Sequence, residues 1–171
     1  MYGTAAAANP FTYDGKAIAS IICQHQAVGI DSLGLCDWVF PIQSNEPLLK
    51  EQADHDLIEG KLGDKTLEAQ FFSHLTGIDT TYDEMMKYFE RIWNLERAAQ
   101  VRIGRTREDD TFNEFFFNNP DKSGRLIDRQ AWEKLKDEFY ELRGWDKNTG
   151  IPTKEKLEEL DLKDVASDLG L

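Results

Sequence analysis

Apolar side chains return every three to four positions along most of this chain. Ile18, Ile21, Ile22, His25 and Val28 share one face, which predicts a helix from about Gly15 to Leu33. Leu67, Phe71 and Leu75 predict a second over Thr66 to Leu75. Thr81-Tyr82-Asp83-Glu84 has the form of a capping box, with hydroxyl and carboxylate each taking a free N–H at a helix start. The helix it opens would bury Met85, Phe89, Ile92, Trp93 and Ala99 and stop at Gly104. A short segment, Thr111 to Phe117, carries Phe112, Phe115 and Phe116, which read as core, with a docking patch as the alternative. Asp128 is placed to cap a fourth long helix through Trp132, Leu135, Phe139 and Leu142 to Arg143-Gly144. Two short helices, Thr153 to Leu160 and Leu162 to Leu169, follow. No six residues alternate cleanly, so the expected class is all-α, an irregular arrangement of about five to six helices.

Turn-forming clusters punctuate the pattern at Asn9-Pro10, Asn45-Glu46-Pro47, Gly60 to Asp64, Asn118 to Gly124 and Lys147 to Pro152. No internal repeat is present, and the Ala5 to Ala8 run is the one low-complexity stretch.

Charge divides the 171 residues unevenly. Residues 1–43 hold four charged side chains, Asp14, Lys16, Asp31 and Asp37, and residues 44–171 hold the other 48. A forty-residue segment that avoids charge is hard to bury within so small a domain. We therefore expect residues 1–43 to form a low-charge inner layer packed against something larger, and residues 44–171 a helical layer, within one domain overall. A central helix wrapped by the later ones is the plainer alternative. The net charge of −12 disfavours nucleic acid, which needs clustered Lys and Arg. The stretch between Lys16 and Asp31 carries Gln24, His25 and Gln26, so no membrane span is expected. Residues 1–13 lack the basic start of a secretory signal, and a reduced cytoplasmic protein is the expectation. Two cysteines are too few for a disulfide framework or a self-contained four-cysteine metal site.

The candidate chemistry lies in Asp31-Ser32-Leu33-Gly34-Leu35-Cys36-Asp37-Trp38. Asp31 follows Val28 by three residues, so its carboxylate is expected to turn partly inward. It also lies near a helix C-terminus, where the macrodipole disfavours a negative charge by roughly 0.3–1 kcal/mol. Donors must offset that cost, and no Arg or Lys but Lys16 lies within fifteen residues. An ordinary turn-forming Asp is the bland alternative. Gly34 can take a positive φ and lift Leu35 and Cys36 onto a backbone corner able to present a thiolate and peptide groups. Cys23 fits a small buried hydrophobe, roughly 20 Å from Cys36 if helix fills the gap.

Asp31-Ser32-Leu33-Gly34-Leu35-Cys36 resembles the Asp-x-x-Gly-Leu-Cys motif of the tungsten-containing aldehyde ferredoxin oxidoreductases. Four further stretches are similar to the family's C-terminal part, in family order: Glu90 to Arg97, Thr106 to Thr111, Tyr140 to Asp146, and Gly150 to Thr153. The resemblance covers about residues 14–160. It implies that Asp31 hydrogen-bonds a pterin ring and that Cys36 is one of four ligands to a [4Fe–4S] cluster. It implies, too, that Leu35 and Asp37 meet the pterin through backbone groups. An acidic side chain at 37, beside an anionic cluster, departs from expectation.

A four-iron cluster needs three more thiolates. The family supplies them as Cys-x-x-Cys-x-x-x-Cys upstream, a run this sequence lacks. The resemblance therefore implies the C-terminal domain of a larger enzyme that holds a bis-pterin tungsten (or molybdenum) centre. Such an enzyme oxidises aldehydes to carboxylic acids and passes electrons to ferredoxin or another redox subunit. No catalytic residue is assigned to this chain, and alone it is expected to be inactive and to bind neither cofactor. Its expected partners are the enzyme's remaining N-terminal domains, a redox protein and a second copy of itself. A benzoyl-CoA reductase relative, or a stand-alone non-catalytic helical interaction module, are the alternatives.

His25 reads as a satisfied histidine rather than a pocket residue, and neither His55 nor His74 has a second ligand at metal spacing. Arg91, Arg102 and Arg105, flanked by Arg97 and Arg107, read as a solvated helix face, with docking to an acidic surface or a pterin phosphate as the alternative.

Overall fold

The computed structural model describes residue 9, residues 11–35 and residues 66–171. Every regular element among them is helical: α1 (Lys16–Leu33), α2 (Leu67–Thr76), α3 (Tyr82–Arg102), α4 (Glu114–Asn118), α5 (Arg129–Arg143), α6 (Lys154–Glu159) and α7 (Lys163–Asp168), with a 3-10 turn at Arg107–Asp109. An isolated bridge between Trp145 and Pro152 is the one β pairing among the described residues. The all-α class predicted from periodicity is what the chain adopts. No described helix is long and apolar enough to cross a membrane. The seam expected after residue 43, Cys36, Asp37, His55, the Ala5 to Ala8 run, and the loops at 45–47 and 60–64 lie outside the described residues. The chain divides into two compact units, residues 1–93 and 94–171.

In the first unit, Val28, Ala69, Met85 and Phe89 form a buried cluster, with Leu33, Phe72, Met86, Ile92 and Trp93 packed against it. A side chain of this kind contributes about 1.5–3 kcal/mol when fully buried. Gly29 faces Phe89 so closely that an added Cβ would stand 2.6 Å from the ring. The capping box forms as predicted: the Thr81 N–H donates to Glu84 Oε2 at 2.8 Å, and the Glu84 N–H to Thr81 Oγ1 at 3.3 Å. The predicted face of α2 is wrong, because Leu67 and Leu75 are exposed. The helix turns Ala69 and Phe72 inward instead, towards Met85 and Phe89. Cys23, expected to be buried, is exposed.

The second unit is built around α5. Asp128 caps it by accepting from the N–H groups of Gln130 and Ala131 at 2.8 and 3.0 Å. Gly144, at φ 66°, ends it. The Trp145 N–H then reaches back to the Tyr140 carbonyl at 2.8 Å. Leu157, Leu160, Leu162 and Ala166 pack α6 against α7. Ala99 and Leu142, expected in the core, are exposed. The buried positions of α3 and α5 in this unit include Asn94, Arg97, Lys136, Tyr140 and Arg143. Apolar periodicity could not find this interior, because much of it is polar. Phe112, Phe115 and Phe116 also stand exposed rather than in the core, and only Phe117 of that run is buried.

Candidate functional site

The turn predicted at Gly34 exists. α1 ends in a Schellman motif: Gly34 sits at φ 65°, its N–H reaches the Asp31 carbonyl at 3.4 Å, and the Leu35 N–H donates to the Ile30 carbonyl at 2.9 Å. The Leu35 N–H is therefore consumed within the protein. Any backbone contact Leu35 makes with another molecule must go through its carbonyl. The chain leaves this corner directly into Cys36, which with Asp37 lies outside the described residues.

Asp31 is exposed, not turned inward as its spacing from Val28 had predicted. The helix rotation that buries Val28 and Gly29 carries Asp31 to the outer side. No described residue pairs with its carboxylate. It ends a stripe of exposed small residues, Ser20, Cys23 and Ala27, which occupy one face of α1 at i, i+3 and i+7. Between Lys16, at the start of the helix, and Asp31 this face bears no charge. Sequence reading caught the apolar stripe and overlooked this opposite one, whose signal was three small side chains at helical spacing.

His25 is a satisfied histidine. Its Nε2 lies 2.6 Å from Glu90 Oε2, with both side chains about 15% exposed. His74 Nδ1 lies 2.7 Å from the Gln70 carbonyl. Among the described residues no group of three or more His, Cys, Asp or Glu side chains is placed to hold a metal ion.

A second cluster, in the second unit, was not foreseen. Arg97 is 4% exposed, not part of a solvated face. Its Nε donates to the Gly150 carbonyl at 2.8 Å and its Nη1 to Asp110 Oδ1 at 3.2 Å. Its Nη2 stands 2.7 Å from Asp110 Oδ2, an ionic contact without hydrogen-bond alignment. Its guanidinium lies 4.8 Å from the centre of the Trp145 ring. Arg105 Nη2 also donates to Asp110 Oδ1, at 2.7 Å, and the Tyr140 hydroxyl donates to Oδ2. Burial would raise the Asp110 pKa, but the bonds from Tyr140, Arg97 and Arg105 and the Arg97 charge outweigh it and hold the carboxyl below its ordinary range. Burial, then the Asp110 bond and charge, push the Tyr140 hydroxyl above its ordinary range and keep it a donor.

Arg107 pairs with Glu133 at 2.6 Å and Asp137 at 2.7 Å and lies 5.3 Å from the Tyr140 ring centre. The Trp145 indole N–H donates to Asn94 Oδ1 at 2.8 Å, both residues being buried. The stretches at 90–97, 106–111, 140–146 and 150–153, which seemed separate motifs, thus all contribute to one neighbourhood. The arrangement holds the second unit together. Arg97, Arg105 and Arg107 are spent on internal carboxylates, so they do not form a docking face.

The chain resembles known proteins over most of its length. The family model described as aldehyde ferredoxin oxidoreductase, domains 2 and 3, matches residues 1–162. The tungsten-containing aldehyde ferredoxin oxidoreductase of Pyrococcus furiosus is 37% identical over 152 residues, 86% of this chain and 21% of that protein. Its counterpart in Pyrococcus horikoshii is 35% identical over 93 residues, 52% of this chain and 15% of that protein. Among solved structures, the active-site complex of benzoyl coenzyme A reductase with 1,5-dienoyl-CoA superposes with a TM-score of 0.50 and 29% identity. That match covers 59% of this chain and 14% of the other. The chain thus spans about a fifth or less of the length of these relatives.

Proposed function

The chain belongs to the aldehyde ferredoxin oxidoreductase family, as its C-terminal part, and we propose that it forms one wall of that enzyme's cofactor site. The reaction is oxidation of an aldehyde to a carboxylic acid with water as the oxygen source, and ferredoxin takes the electrons one at a time. The observation that carries this reading is the corner at the end of α1. An exposed carboxylate with no described partner stands one turn before Leu35 and Cys36.

The donor chemistry fits one edge of a pterin. A pterin ring offers N–H and amino donors, and Asp31 offers only acceptors. The fit is one-sided, since the other thiolates of a four-iron cluster must come from elsewhere in the enzyme. Asp31 then orients the pterin through charge-assisted hydrogen bonds, which offset its unfavourable place at a helix C-terminus. The Leu35 carbonyl, and backbone groups of Asp37, hold the same ring. Cys36 supplies one iron ligand. When bound, a bis-pterin tungsten or molybdenum centre supplies the two-electron oxidation and the cluster an exit for single electrons. The acid and base of the reaction are assigned to other parts of the enzyme. The uncharged face of α1 lies against the rest of the enzyme.

The test is the full-length polypeptide, or this chain produced together with the preceding portion, carrying Cys36→Ser or Asp31→Asn. Cys36→Ser should lose most of the visible cluster absorbance and iron. Asp31→Asn should keep iron and lose about tenfold in pterin content, read by fluorescence of the released pterin, in line with ~1.4 kcal/mol for one charge-assisted bond. Wild-type absorbance in Cys36→Ser would remove the ligand assignment. The likeness to benzoyl coenzyme A reductase supports a second substrate class. Aldehyde-dependent reduction of a viologen dye, set against turnover of a cyclic dienoyl-CoA, separates the two.

A further inference from the structure

From the aromatic patch at α4 we infer a docking surface for an apolar segment of the same enzyme's preceding polypeptide. Phe112, Phe115 and Phe116 are 40%, 61% and 51% exposed. They are contiguous: the Phe115 and Phe116 rings stand edge to face at 5.7 Å, and Phe112 lies 6.2 Å from Phe116. The patch is held from beneath by Phe117, which is buried, and by Trp132, 4.5 Å from Phe112. Three rings on one firm support are costly to leave in water, and an apolar patch of a few hundred Å² is often functional.

Area and charge choose the occupant. With 150–250 Å² per aromatic side chain, these exposures amount to on the order of 300 Å². A free dimer needs about 800 Å² per partner, so a second copy would not be held by this face alone. A segment of the same enzyme needs far less from this patch, because the patch is then one part of a larger inter-domain interface. Most of the relatives' length lies outside the matched region, and the matched family model comprises domains 2 and 3, so a first domain exists to supply it. The charges set beside the patch, Arg129 and Glu114, are already paired with each other, through Arg129 Nη1 at 3.0 Å. The Arg129 guanidinium also lies over the Phe117 ring. A neutralised rim around aromatic edges suits an apolar occupant rather than an acidic or basic one. The inference rests on family membership and not on the cofactor assignments.

The test is co-production of this chain with a tagged preceding portion of the enzyme, using the wild type, Phe115→Ser and Phe115→Ser/Phe116→Ser. The double variant should lower the co-purified chain at least tenfold and the single variant by less. Both chains, studied alone, should unfold at the wild-type temperature, since the replaced rings are exposed. Recovery of the double variant within twofold of wild type overturns the inference, as does failure of the wild-type chain to co-purify. A chain that sediments alone as a dimer, which the double variant dissociates, assigns the face to a second copy and also overturns it. Asp31→Asn serves as the control. It should co-purify normally while losing pterin, so failure here and failure of the cofactor reading are separately visible.

Discussion

Replacing Asp110 by Asn changes the shape of the second unit's polar cluster very little and removes one charge. Arg97, 4% exposed, would keep its bond to the Gly150 carbonyl and its stacking on Trp145, but it would lose its counter-ion. Removing one partner of a buried ion pair costs about 3–5 kcal/mol. The Asp110 side chain is itself 18% exposed, which places the expected loss near the lower end, ~3 kcal/mol. Arg105, 40% exposed, adds little to that, ~0–1 kcal/mol. For a chain of this size each kcal/mol lowers Tm by about 2–4 °C, so Asp110→Asn should unfold roughly 6–12 °C below wild type. Near-UV circular dichroism of the buried Trp145 reads the transition.

The pH dependence supplies a second check. The folded-state pKa of Asp110 lies below its unfolded value, so its stabilisation is fully present above the unfolded value and is lost as pH falls through the folded one. The gap between wild type and variant should therefore be complete at neutral pH and close in strong acid. A loss under about 1 kcal/mol, no more than one ordinary hydrogen bond contributes, would refute the ion-pair reasoning. So would a gap that persists unchanged into acid. Combined with Tyr140→Phe, the double variant should lose less than the two single losses added, since both remove the bond made at Asp110 Oδ2.

Two glycines at positive φ should respond differently to Ala. Gly34 has open space around it, so Gly34→Ala should cost only the left-handed strain, roughly 1–2 kcal/mol by thermal unfolding. At Gly150 the new Cβ would stand 2.4 Å from Arg97 Nη2 and 2.9 Å from the Tyr140 hydroxyl, so Gly150→Ala should be clearly the more damaging. Asn94→Leu keeps the branched side-chain skeleton but leaves the Trp145 indole N–H without its acceptor, and denaturant unfolding should show a loss of at least about 1–3 kcal/mol. Cys23 should react with iodoacetamide under native conditions as fast as in denaturant, within a few-fold, as judged by mass spectrometry of the tryptic peptides.

What the sequence by itself determined is the set of elements and their ends. The capping box at Thr81, the cap at Asp128 and the glycine stops at Gly34 and Gly144 are local chemistry, written within four or five residues of where they act. The corner that delivers the chain to Cys36 is local for the same reason. Which way each helix face turns is not local. Leu67 and Leu75 point outward because Ala69 allows closer packing towards Met85 and Phe89, and no window on α2 contains that information. Asp31 is outside because Val28 and Gly29 are inside, which depends on the Phe89 ring sixty residues on. The polar interior around Arg97 was least legible. Its members come from four stretches, and a buried guanidinium is tolerable only when Asp110, Gly150 and Trp145 all arrive around it, so tertiary structure alone decides that it is interior at all.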